Sequence, residues 1–149
     1  MWLCYTNIVK EAESEEYGAY KFEVANKHIV FRVAKTTPKK IGQFVTLWKR
    51  DGDGPILPFD VSDIVDLFVV SVRDGERFGQ FIFPKSVLWK HGVISKEGKG
   101  GKRAIRVYPP WVETQNMQAR KSQKWQHEYF TEISSNSVKS VERIQRLFS

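Results

Sequence analysis

The chain has 149 residues, 41% of them hydrophobic, and a net charge of +7. That fits one domain with a real core and excludes a disordered chain. No window approaches eighteen apolar residues, so no membrane span is expected, and the single Cys4 rules out an intrachain disulfide and suits a reducing cytoplasm.

In chain order, residues 1–16 lack the basic lead-in, long apolar run and small-residue cleavage site of a signal peptide. Residues 2–13 instead predict a helix with Leu3, Ile8, Val9 and Ala12 on one side. Glu11, Glu13, Glu15 and Glu16 crowd its C-terminal end, where the helix dipole disfavours negative charge. That placement leaves room for a functional role. Tyr20, Phe22 and Val24 alternate as a strand, residues 25–27 turn, and residues 28–35 return as a second strand. Pro38 breaks it, and residues 43–50 form a third.

A loop rich in turn residues leads to residues 65–72, the most apolar strand, which is predicted to be central because both faces are apolar. An Asp-Gly turn within residues 73–77 sends the chain back through residues 78–83. Residues 85–92 predict a short helix closed by Gly92, and residues 102–108 a strand stopped by Pro109 and Pro110. Residues 116–133 predict a helix with Ala119, Trp125, Tyr129 and Ile133 inward. A last amphipathic helix spans about 137–148 and could serve a protein partner. About six strands and four helices imply a mixed α/β (α+β) fold with one central mixed sheet, helices on its faces, and a single domain over 1–149.

Charge is unevenly spread. Residues 32–50 carry six cations and no acid, residues 51–76 seven acids against Arg73, and residues 85–127 ten cations against Glu97 and Glu113. Two basic blocks favour a polyanionic partner, nucleic acid first. The glycines at 98, 100 and 101 do not form a nucleotide-binding P-loop: Arg103 stands where Ser or Thr is needed, and a strand follows instead of a helix. His28, His91 and His127 have no metal-ligand spacing, so no metal site is expected from them, and no G-x-S-x-G motif is present.

The carboxylates are more suggestive. Asp60, Asp63 and Asp66 precede or enter the central strand, and Lys85 follows the next one. Metal-dependent nucleases of the PD-(D/E)xK class share that order. Their carboxylates hold Mg²⁺, which activates a water, and the lysine orients it. Here Phe83 occupies the acid position before Lys85, and Val33 the one before Lys35. A rearranged site would need Asp66, Gln80 and Lys85 with Glu15 or Glu16. Without it no cofactor is expected; with it, Mg²⁺ is.

The stretches "ESEEYGAYKF", "VFRVAKTTPKKIGQFVTLWKR", "GPILPF", "FGQFIFPKSVL", "GKRAIRVYPPW" and "QKWQHEYF" resemble the MepB family of small bacterial proteins over about residues 7–132. The resemblance implies a restriction-endonuclease-like core and a link to an operon carrying a multidrug efflux pump, and no established activity. These stretches interleave cations with aromatics. The expected function is therefore cytoplasmic nucleic-acid binding, DNA before RNA, on a nuclease-like fold with an incomplete acid set. A metal-dependent phosphodiesterase and a protein-interaction adaptor are the alternatives. The expected binding set is Lys35, Lys39, Lys40, Lys49, Arg50, Lys85, Lys99, Lys102, Arg103, Arg106, Arg120 and Lys121. Trp111, stiffened by two prolines, is the expected base-stacking aromatic. The "TTPKK" turn and the strand from Lys102 are expected to merge into one positive surface, with Lys102 and Arg106 sharing a face.

Overall fold

The computed structural model describes residues 5–10, 19–133 and 146–147. The described chain runs through β1 (Tyr5–Lys10), β2 (Tyr20–Val24), β3 (Lys27–Val33), β4 (Lys35–Thr37), β5 (Lys40–Thr46), β6 (Trp48–Arg50) and β7 (Ile56–Pro58). It continues through β8 (Leu67–Asp74), β9 (Arg77–Pro84), α1 (Lys85–Lys90), β10 (Ala104–Val107), α2 (Met117–His127) and β11 (Phe130–Glu132). The fold is mixed α+β and dominated by sheet.

The largest sheet has the order β1-β2-β3-β8-β9-β11. Its β3–β8 pair is parallel and its other pairs are antiparallel. The centrality of β8 follows from its residues. Phe68, Val70 and Val72 join Val30, Phe81 and Phe83 in one buried cluster, while Leu67 and Val69 join Val24, Ile29 and Ile82 in the other. A strand with apolar side chains on both faces is stable only where both faces are covered. Arg32 also lies in this interior, 1% exposed and with its guanidinium 5.8 Å from the Phe59 ring centre. It is thereby removed from the surface charge of the first basic block.

One central sheet does not describe the molecule. A three-stranded sheet, β10-β5-β4, and a two-stranded sheet, β6-β7, stand beside the large one. The stretch 43–50 is divided rather than continuous. Leu47, 1% exposed, donates its N–H to the Arg103 carbonyl at 2.9 Å, and the chain beyond it pairs with β7 instead.

Three other expectations are corrected. Residues 5–10, expected to be helical, form an edge strand with a register shift between Thr6 and Val9. The run Tyr-Thr-Asn-Ile-Val is rich in aromatic and β-branched residues, and that preference outweighs the loose helical spacing. The helix expected to reach Ile133 ends at His127, and Phe130–Glu132 turns back to pair with β9. The β8–β9 turn centres on Gly75–Glu76 rather than Asp74–Gly75. Gly75 has φ +60 and precedes a residue of ordinary φ, the pattern of a II′ hairpin turn. The helix expected over 137–148 lies outside the described residues except for Arg146 and Leu147, and Leu147 packs against the second buried cluster.

The element that positions the candidate site is α2. Asn116 caps it, its side-chain oxygen accepting the Ala119 N–H at 2.8 Å. Gln126, 1% exposed, fastens it to β10. Its Oε1 accepts the Tyr108 N–H at 2.8 Å, and its Nε2 donates to the Arg106 carbonyl at 3.0 Å. One amide side chain thus satisfies the outer edge of β10 as a neighbouring strand would. Gln123 Nε2 adds bonds to the carbonyls of Pro109 and Val112 at 3.0 and 2.8 Å.

Candidate functional site

A cleft of about 650 Å³ lies between the β10-β5-β4 sheet and α2. Its described lining includes Lys39 from the β4–β5 turn, Lys40 at the start of β5, Lys102 ahead of β10, and Arg106 within β10, and it includes no carboxylate. The register explains the convergence. Lys35 and Arg106 both stand opposite Phe44, and residues directly opposite on neighbouring strands project from the same face. Lys35 extends this row past the cleft. Lys102 and Arg106 both line the cleft, and Arg103 does not.

Arg106 is half-buried. Its Nη2 donates to Thr37 Oγ1 at 2.6 Å, and its Nη1 makes long bonds of 3.4 and 3.5 Å to the carbonyls of Ile41 and Gly42. Every one of these acceptors is neutral. Neither Asp66 nor Glu113 is among them. A guanidinium held in place by neutral oxygens keeps its charge uncompensated, which favours an anion in the space in front of it.

In the cleft lining the His91 and Trp125 rings stack, with centres 4.1 Å apart and planes 6° from parallel. Burial, helped by the charge of Lys90, pushes His91 below its ordinary pKa. The imidazole is therefore neutral at pH 7.

Other members of the expected set fall elsewhere. Arg103 and Lys99 are exposed outside the cleft lining. Arg120 and Lys121 are exposed on α2, whose cleft side is formed by Gln118, Ser122 and Trp125. At 100° per residue, Arg120 points almost opposite to Ser122. Arg50 is exposed, 5.6 Å from the Trp48 ring centre. Lys49 is paired with Asp63 at 2.7 Å. Trp111 is not an exposed stacking surface. It packs against the core, edge-on to Phe130 at 5.6 Å, with the Arg77 guanidinium 4.6 Å over its ring. Arg77 is in turn held by Glu132 through two bonds of 2.9 and 3.0 Å.

The rearranged nuclease site is not assembled from its described members. Asp66 Oδ2 accepts the His28 N–H at 2.7 Å, and the Asp66 N–H returns a bond to the His28 carbonyl at 2.8 Å. The acid therefore closes the start of the parallel β3–β8 pair. Lys85 Nζ donates to the carbonyls of Val61 and Asp63 at 2.9 and 3.1 Å, pinning the loop before β8. Gln80 donates to Ser71 Oγ at 3.0 Å. It stands five positions before Lys85 along an extended chain, about 17 Å at the usual rise. Glu15 and Glu16 lie outside the described residues. Among the described residues no three His, Cys, Asp or Glu side chains gather around one point.

The glycine stretch is built rather than loose. Glu97 and Gly98, with φ +55 and +77, turn the chain tightly between Lys96 and Lys99, whose backbones pair at 3.0 Å. The Gly98 N–H is already taken, at 3.1 Å, by Asp60 Oδ1. Asp60, 7% exposed, also accepts from Ser95 Oγ at 2.7 Å and from the N–H and Oγ of Ser62 at 3.0 and 2.8 Å. These donors, Ser95 first, hold its carboxyl far below the usual range. An internal carboxylate occupies the place that a phosphate would take in such a loop.

What the residue pattern alone does not reveal is the uncharged half of the cleft: Gln118, Ser122, Gln126 and Tyr108. The capping Asn116 and the glutamines at 118, 123 and 126 carried the one signal for it, since their spacing puts polar groups on the inward side of a helix.

Comparison with known proteins places the fold. A model of the MepB-like family matches residues 11–132. A solved structure described as the crystal structure of MepB is 33% identical, with a TM-score of 0.83, and the match covers 89% of this chain and 88% of that one. No curated protein matches. With the family model spanning most of its length, the chain belongs to the MepB-like family.

Proposed function

We propose that this protein binds nucleic acid, DNA first, in the cleft between the β10-β5-β4 sheet and α2, and acts in the cytoplasm. The observation that carries the reading is Arg106, half-buried among neutral acceptors, with Lys39, Lys40 and Lys102 around the same space and no described carboxylate in the lining. Phosphate is the anion that such a group of cations serves, since each neutralised phosphate releases condensed counterions. The acidic block supports it from the other side: Asp60, Asp63 and Asp66 are engaged in the loop before β8. A restriction-endonuclease-like reading of the large sheet is supported by the parallel β3–β8 pair and by α1 following the β8–β9 hairpin. The separate engagements of Asp66, Gln80 and Lys85 favour binding over Mg²⁺-dependent cleavage.

A filter-binding titration against salt tests the reading. The expected result is a steep negative slope of log affinity on log salt. Replacing Lys39 and Lys40 with alanine, and separately Lys102, should flatten it by about 0.7–0.9 for each phosphate no longer neutralised. No binding at low salt, or slopes unchanged in both variants, would overturn it.

A further inference from the structure

We infer that the cleft takes a single strand rather than a duplex, and that Tyr108 is the platform on which one base stacks. This rests on the nucleic-acid reading above. The cleft is a hollow between the β10-β5-β4 sheet and α2, with side chains lining both sides. Duplexes are read by elements that protrude into a groove, whereas these cations surround a hollow. One nucleotide unit can enter such a hollow if its base leaves the stack, and a single strand allows that at least cost.

Tyr108 is built for the role. Its ring lies directly on Gly42, where an added Cβ would come within 2.7 Å of Cδ1 and Cε1. Gly42 has φ +82, so glycine is required there twice, once for the backbone and once for the ring. The Gln126 bond to the Tyr108 N–H and the two prolines that follow fix the main chain on both sides. A ring already immobilised loses little entropy on stacking. The other aromatics of the cleft lining are engaged: Trp125 against His91, and Phe44 with the Arg106 guanidinium 5.8 Å from its ring centre. Lys39, Lys40 and Lys102 are exposed at the same cleft where Tyr108 is half-buried. This order suits a strand whose phosphates stay outward while a base turns in.

The experiment is fluorescence anisotropy with a labelled twelve-nucleotide oligo-dT and a duplex of equal length, on the wild type, Tyr108→Leu and Tyr108→Phe. The single strand should bind more tightly than the duplex. Tyr108→Leu should weaken it by about 5–150-fold with the salt slope unchanged, and Tyr108→Phe should retain it. Equal single-strand and duplex affinities, or a Tyr108→Leu protein as tight as wild type, would overturn the inference while leaving nucleic-acid binding intact. Failure of both oligonucleotides to bind the wild type at low salt would remove the underlying reading as well. Should Tyr108→Leu not fold, photocrosslinking of a bromodeoxyuridine strand to the wild-type protein decides. Labelling of Tyr108 supports the inference, and labelling confined to other aromatics overturns it.

Discussion

Two corners of the molecule use the same side-chain types in opposite ways. In the corner before β8, Lys49 pairs with Asp63, Lys85 fastens two carbonyls, and Asp60 accepts from two serines and a glycine N–H. Charges there close loops, and their partners are internal. In the cleft beside α2, Lys39, Lys40, Lys102 and Arg106 converge without a described carboxylate. The difference teaches that position in a basic or acidic block says little about function. Lys49 has its counter-charge supplied by the fold, in Asp63, and the Lys85 ammonium is spent on two loop carbonyls, whereas the cleft cations converge on one space with no described carboxylate in its lining.

The contrast can be broken most severely at Asp60. Asp60→Ala removes the acceptor of four hydrogen bonds at once and should lower the melting temperature more than any single change in the cleft. Because the folded-state pKa is depressed, the unfolded chain binds the proton more readily. The stabilisation is complete above the ordinary carboxylate value of 3.8 and drains as pH falls below it. Melting curves from pH 7 to pH 3 should show the wild type beginning to lose this increment below the ordinary carboxylate value, with most of it still present at pH 3 because the folded-state carboxyl is held far lower, and Asp60→Asn lacking that acid-sensitive part.

Next in size is Gln126→Leu. It leaves the Tyr108 N–H and the Arg106 carbonyl without their partner, at about 1–3 kcal/mol for each group that stays buried. Urea denaturation should register the loss, and oligonucleotide affinity should fall with it because α2 forms one wall of the cleft. An unchanged midpoint would mean that α2 is held by packing alone.

The smallest effect is a titration shift at His91. Its NMR midpoint in the free protein should lie below the ordinary 6.5. Acidification through that window should cost stability, since the unfolded chain takes up the proton first. A bound oligonucleotide brings negative charge to the cleft and should raise the midpoint. A midpoint indifferent to ligand would place the strand elsewhere.

Much of the large sheet was legible because its signals are local. Alternation marked β2 and β3, a doubly apolar run marked β8, and Pro84 marked the passage from β9 into α1. The splitting of the stretch 43–50 was not legible, because it depends on a bond from Leu47 to Arg103, distant in the chain. The strand at Phe130 was masked by a helical pattern whose last turn was overridden by the free edge of β9, with Gly79 leaving room for the Phe130 ring. In the site, Lys39, Lys40, Lys102 and Arg106 could be named from charge and alternation. Trp111, Lys49 and Lys85 could not be told apart from them, because their engagement depends on Arg77, Asp63 and the carbonyls of residues 61 and 63. Tyr108 went unselected because what distinguishes it is the missing Cβ of Gly42 beneath its ring.

The central claim is that the uncompensated cleft, and not the compensated corner, meets nucleic acid. Lysine acetylation footprinting by mass spectrometry, on the wild-type protein with and without a saturating single-stranded oligonucleotide, tests it most directly. The account predicts protection of Lys39, Lys40 and Lys102, with Lys49, Lys85 and Lys121 labelled equally in both samples. Protection of Lys49, Lys85 or Lys121 with the cleft lysines unchanged would contradict it.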